Sequence, residues 1–153
     1  MTDVSDVLGT HPFFFGLSAE QLDAVAGCAA PATFDAGVPL FHAGEEADGC
    51  YLIVDGDVAL ELVAAGRGPH VIQTIHAGDM LGWSWLFPPH TWKFDAQALT
   101  YVRAVRFDGT GLRAASDEDT DLGYTLLRRF TQVIIDRMQA ARLQLMDIYG
   151  DPR

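Results

Sequence analysis

Between residues 31 and 107 the chain runs in short apolar stretches, each ended by glycine or a polar turn. "ATFDAG", "VPLFHAGEEADG", "CYLIVDGDVALELV", "PHVIQTIHAGDMLGW" and "FDAQALTYVRAVRFD" are rich in β-branched and aromatic residues. Gly37, Gly44, Gly49, Gly56, Gly66, Gly68, Gly78 and Gly82 separate or interrupt them. Short strands at this spacing predict a β-sandwich or a small barrel. Within "YLIVDGDVALEL", two apolar runs flank Asp55-Gly56, which predicts a hairpin with a type I′ turn.

On either side of this block the period changes to that of a helix. Near the N-terminus, Ser18 and Gln21 have the spacing of a capping box, and Leu17 can staple to Leu22 across it. Phe13, Phe14 and Phe15 precede that helix and read as a plug on the end of the core. After Asp108 comes a short helix and turn. The segment "TDLGYTLLRRFTQVIIDRMQAARLQLMDIYG" then predicts one long helix. Leu127, Phe130, Ile134, Met138, Ala141, Leu145 and Ile148 follow each other at heptad-like spacing and form a candidate seam for a partner helix. Val133, off the seam, is expected to face the roll. Acidic residues at 117–121 suit the helix N-terminus, and Gly150 and Pro152 close it.

With 153 residues and 49% hydrophobic content, the chain is long and apolar enough for one folded domain, 1–153. About 11–30 is assigned to N-terminal helices, 31–107 to a β-roll and 108–150 to C-terminal helices. The formal charge is −11 and Lys93 is the only lysine. Such a field repels nucleic acid unless arginines cluster, and they do not. Arg128, Arg129, Arg137 and Arg142 are interleaved with apolar residues and read as a solvated helix face. Cys28 and Cys50, with no secretory signal and no long apolar run, point to reduced thiols in a cytoplasmic protein that does not enter a membrane.

The order of these segments resembles the cyclic nucleotide-binding domain of the catabolite-activator and nitrogen-fixation regulator superfamily. "HPFFFGLSAEQLDAVAGCA" looks like its opening helices. "FDAGVPLFHAGEEADGCYLIVDGDVALEL" looks like its first strands, and "IHAGDMLGWSWLF" like the start of its phosphate-binding cassette. The resemblance implies a mainly β fold, a double-stranded β-helix jelly roll with flanking helices and a long C-terminal helix. It also implies a cassette whose short helix offers backbone N–H groups to a cyclic phosphate. An acidic side chain there takes the ribose, a small residue admits the phosphate, and an arginine neutralises it. The long helix of the family covers the base and often pairs with its twin, so a homodimer is expected.

Placed residue by residue, Gly78, Asp79, Leu81 and Gly82 match the start of the cassette, and Leu86 fits its leucine. The acidic position is Trp83, followed by Ser84; the small position is Trp85; the arginine position falls on Trp92, or on Lys93. Two readings follow. In one, the indoles fill a disused pocket, Trp85 occupying the phosphate space, and the protein is a regulatory or sensor module that works through protein contacts with no cofactor. In the other, Trp83, Trp85 and Trp92 line an aromatic site, and Lys93 with the cassette helix anchors a cyclic nucleotide or another small anionic or planar ligand.

Other chemistry is disfavoured. Two separated cysteines do not hold an iron–sulfur cluster. His11, His42, His70, His76 and His90 lack the spacing of a cupin metal site and offer haem no more than lone ligands. Ser84 has no histidine and acid that the sequence places beside it, so the chain is not expected to be an enzyme. Asp151, Pro152 and Arg153 alone follow the long helix, which leaves nothing to enter a major groove.

Overall fold

The computed structural model describes residues 4–64 and 68–145. Helix α1 (Val4–Thr10) is followed by a 3-10 turn (Pro12–Phe14) and by α2 (Ala19–Ala26). The strands are β1 (Ala29–Phe34), β2 (Pro39–Phe41), β3 (Gly49–Asp55), β4 (Val58–Ala64), β5 (Gly68–Ile75), β6 (Met80–Leu81), β7 (Asp95–Ala98) and β8 (Val102–Asp108). Helices α3 (Gly109–Glu118) and α4 (Thr120–Leu145) complete the described chain. Helix α1 lies ahead of the expected helical region; its seven residues are too short for a readable apolar period.

Local signals account for most boundaries. The Ser18 hydroxyl accepts from the Gln21 N–H at 3.1 Å, and the Gln21 side chain accepts from the Ser18 N–H at 2.9 Å, closing the capping box that starts α2. Asp108 caps α3 by accepting from the Gly111 N–H at 3.0 Å. Asp119 accepts from the N–H groups of Asp121 and Leu122 and so starts α4.

Two antiparallel sheets form the roll, one ordered β1-β8-β3-β6 and the other β2-β7-β4-β5. The predicted Asp55-Gly56 hairpin is corrected by this topology. β3 pairs with β6 and β8, whereas β4 pairs with β5 and β7, so the turn carries the chain from one sheet to the other. Gly56 turns this corner at φ 97°, where a side chain would meet the Tyr101 carbonyl oxygen. The turn signal was genuine, but a dipeptide does not specify which strand each arm pairs with.

β3 is buried on both faces. Tyr51 and Ile53 belong to the core between the sheets, with Phe41, Leu60, Leu81 and Trp92. Cys50 and Leu52 belong to a second core, between the first sheet and the helices, with Phe13, Phe14, Leu122, Leu126 and Phe130. Phe15, the third member of the aromatic plug, is exposed.

The seam on α4 needs a correction. Phe130 is 1% exposed and packs edge-on against Phe13 at 4.9 Å and Trp85 at 5.3 Å. It belongs with Leu122 and Leu126 on the face that docks on the roll, and Val133 continues that face as expected. Leu127 and Met138 are outward, 42% and 65% exposed, with Tyr124 and Ile135 beside them. Ile134 is half-buried and Ala141 exposed. Leu145 ends the described helix, and Ile148 lies outside the described residues.

Arg129 and Arg137 are not solvated either. Arg129 donates to the carbonyls of Pro12, Phe13 and Phe15 at 2.6–3.0 Å and ties the N-terminal turn to α4. No helix among the described residues is long and apolar enough to cross a membrane.

Candidate functional site

The cassette segment starts at Gly78 and Gly82, both with positive φ, on either side of the two-residue strand β6. The following residues form a turn rather than the expected short helix. Leu86 N–H donates to Trp83 O at 3.0 Å, and Phe87 N–H to Ser84 O at 3.4 Å. The chain then returns along the 44–47 loop. Trp92 N–H donates to Glu45 O, Gly44 N–H to Trp92 O and Ala47 N–H to His90 O, all at 2.7–2.9 Å. These bonds hold the backbone of Trp92 beside the 44–47 loop.

The indole of Trp92 points into the roll. Trp92 is 5% exposed and stacks face to face on Phe41, centroids 3.7 Å apart and planes 8° from parallel. Its Cζ3 and Cη2 atoms lie 2.9 Å from where a Cβ on Gly82 would sit. Gly82 is therefore the surface on which the six-membered ring of Trp92 rests. The recess bounded by Phe41, Leu81, Gly82, Ser84, Trp92 and Lys93 keeps about 30 Å³. That is about the share of liquid volume of one water molecule.

Trp85 does not lie there, contrary to expectation. It is 0% exposed and turned into the helical core against Phe130, with the Cys50 thiol beside it. Its carbonyl accepts from Arg113, which anchors the cassette turn to α3. The indole N–H has no acceptor of good geometry among the described residues. Leu86 packs against the same core. Trp85 and Leu86 thus hold the cassette down, while Trp83, Ser84, Trp92 and Lys93 face the recess.

The recess is poor in positive charge. The Lys93 side chain is exposed, its ammonium near the Thr91 hydroxyl at 3.5 Å. In the loop after Phe41, Glu45 accepts from the His42 N–H at 3.0 Å and Asp95 from the Ala43 N–H at 2.7 Å.

Beyond Trp83 the space opens again. A cleft of about 170 Å³ lies between α4 and the roll, lined by Leu60, Ile72, Trp83, Phe94, Ile134 and Met138 among others. Arg137 enters it from α4. Its guanidinium carbon stands 5.6 Å from the Trp83 ring centroid, Nη2 donates to the Met80 carbonyl, and Nη1 is buried with no partner among the described residues. Burial pushes its pKa down to about 10, against a smaller upward pull from Asp79. The sequence reading missed this residue. Leu122, Leu126, Phe130, Val133 and Arg137 are spaced 4, 4, 3 and 4, so Arg137 continues the buried stripe of α4. A wider groove of about 570 Å³ runs past the other side of Arg137, between α4 and the N-terminal turn. Among the described residues no group of three histidine, cysteine or acidic side chains is placed to hold a metal ion.

A profile of the family described as the cyclic nucleotide-binding domain matches residues 31–119. Among curated proteins, the chain is 26% identical over 145 residues to a CRP-like cAMP-activated global transcriptional regulator of Mycobacterium tuberculosis, covering 95% of this chain and 63% of the relative. Among solved structures, a candidate cyclic nucleotide-binding protein of Geobacter metallireducens superposes with a TM-score of 0.80 at 26% identity, covering 90% of this chain and 99% of the other. The regulatory subunit of a cAMP-independent protein kinase A from Trypanosoma cruzi, bound to guanosine, has a TM-score of 0.66 at 23% identity over 78% of this chain and 43% of its own; that likeness bears on the fold alone.

Proposed function

The chain belongs to the cyclic nucleotide-binding domain family, and from that premise we propose that it is a non-enzymatic regulatory module with a degenerate cassette, acting through protein contacts as a dimer. One observation carries the reading: Trp92 fills the recess that a cyclic phosphate would need, stacked on Phe41 and resting on Gly82. The acidic position of the cassette falls on Trp83, and its arginine position on Trp92 or on Lys93. A charge-assisted contact to a phosphate contributes roughly 1.5–3 kcal/mol, so losing two removes about 3–6 kcal/mol, or two to four decades of affinity. Expelling Trp92 from its stack costs more on top of that. The apolar residues on the outer face of α4 supply the dimer contact: Leu127, Ile135 and Met138 are exposed there, and Tyr124 extends the stripe by one turn.

Calorimetric titration of the protein with cyclic AMP and cyclic GMP tests the closed recess. No saturable heat is expected below about millimolar ligand. Micromolar binding of either nucleotide overturns the reading.

A further inference from the structure

The N-terminal turn meets the head of the cassette segment at one side chain, His11, and both nitrogens of its ring are engaged. Nδ1 accepts from the Phe13 N–H at 3.1 Å, which makes His11 the cap of the 3-10 turn (Pro12–Phe14). Nε2 lies 2.7 Å from the carbonyl oxygen of Gly78, 67 residues away in the chain. A backbone N–H only donates, so Nδ1 carries no proton; a carbonyl only accepts, so Nε2 carries one. The two bonds together require the neutral Nε2–H form of the ring.

We propose that His11 is a proton-operated latch between the N-terminal turn and the cassette, closed when neutral and opened by protonation. The added proton goes to Nδ1, where it faces the Phe13 N–H donor to donor. The cap is then lost, while Nε2–H can still donate to Gly78, so the break falls between His11 and Phe13. What the break releases is defined by the packing. Phe13 meets Phe130 of α4 edge-on at 4.9 Å, and Phe130 meets Trp85 of the cassette at 5.3 Å. The carbonyls of Pro12, Phe13 and Phe15 hold the Arg129 guanidinium of α4. One short turn therefore carries the cap, the aromatic contact and the arginine contact, and opening the first disturbs the other two. The latch needs no ligand and does not depend on whether the recess is shut.

The charged groups around His11 are Asp79, next to Gly78, and Arg129, Asp136 and Arg137 on α4, which line one groove with it. The end of β5, α1 and β3 bring no ionisable side chain to it among the described residues. His76 stands two residues before Gly78, its Nδ1 paired with Asp57 at 2.7 Å, and is the second imidazole to control for.

Two NMR measurements on the full chain test the latch. Two-bond proton–nitrogen spectra of the histidine rings should show His11 as the Nε2–H form at about pH 7.5. Between about pH 7.5 and about pH 5.5, protection of the Phe13 amide against hydrogen exchange, corrected for the intrinsic rate, should fall at least about tenfold in the wild type. His11→Asn keeps a cap that accepts from the Phe13 N–H but takes up no proton, so its protection should hold constant across the same range. His76→Asn and Asp136→Asn should respond as the wild type does. The Nδ1–H form at neutral pH overturns the proposal. So does protection that stays constant in the wild type, that falls equally in His11→Asn, or whose fall disappears in His76→Asn. If His11→Asn does not fold, the wild type decides alone: Phe13 protection must fall in step with the titration of the His11 ring, and a ring that titrates while protection holds overturns the latch.

Discussion

Truncating Trp92 is the most direct perturbation of the closed recess. The indole is 5% exposed, stacks on Phe41 at 3.7 Å and covers Gly82, so Trp92→Ala removes a packed ring and leaves its partners facing a void. Core Trp→Ala replacements cost about 3–5 kcal/mol, and the loss includes the ~0.5–1.5 kcal/mol of a well-stacked aromatic pair. For a chain of this size, each kcal/mol lowers Tm by about 2–4 °C, which predicts a drop of roughly 6–20 °C. Urea denaturation followed by far-UV circular dichroism reads the free energy, with Trp92→Phe as the control. Phenylalanine keeps the stack on Phe41 and should lose about half as much or less. A Trp92→Ala loss below about 1 kcal/mol refutes the reasoning. It would mean that the indole is not packed in solution and that the recess stands open.

Two further outcomes follow from the same packing. Leu127→Asp combined with Met138→Asp should convert a dimer into monomers in sedimentation velocity, both residues being outward on α4; a wild type that is already monomeric at tens of micromolar sinks the dimer proposal. Burial holds the Cys50 thiol far above its ordinary value of 9.0, so the unfolded chain releases this proton first. Stability should then fall above pH 9 by up to about 1.4 kcal/mol per pH unit, and Cys50→Ala should flatten that slope. The window closes near pH 10, where Arg137, its pKa lowered to about 10, sheds a buried charge and pulls the other way. Identical slopes in wild type and variant between these limits contradict the assignment.

What could be read from the sequence divides along physical lines. Signals held within a few residues were legible: the Ser18–Gln21 capping box forms, Asp55-Gly56 is a turn, and the apolar run from 120 onward is one helix. Signals that depend on a distant partner were not. The Asp55-Gly56 turn looks the same whether its arms pair with each other or enter two sheets. Heptad spacing put Phe130 in the seam for a partner helix, whereas Phe13 and Trp85 of the same chain hold it against the roll. At the cassette, the order of residues put Trp83, Trp85 and Trp92 at the ligand-contact positions but could not orient them. Trp85 turned to the helices, and Trp92 turned into the recess, where it stacks on Phe41 and rests on Gly82. Arg137 was hidden by its charge: its position on the buried stripe was visible, but arginine on a helix is by default a surface residue.

The position of α4 bears on the dimer proposal. Its buried stripe fixes the helix to the roll at Leu122, Leu126 and Phe130, all ahead of Val133. Past that point a cleft lined by Ile134, Met138 and Ala141 opens beside the helix, while Arg137 still bonds to Gln73 and Met80 of the roll. Met138 is at the same time the most exposed apolar residue of the outward stripe. A second copy on the outer face would therefore act on the same helix segment that borders the cleft. Whatever changes the placement of that segment changes the affinity of the dimer contact, and the partner acts back on that placement by the same factor. In this chain Arg137 supplies the contacts across the gap: its guanidinium lies over Trp83 and donates to the Met80 carbonyl, and its own carbonyl accepts from Gln73 at 2.9 Å. The affinity of the dimer contact is therefore expected to fall when Arg137 is removed, and to survive any change at Lys93, whose side chain is exposed at the rim of the recess.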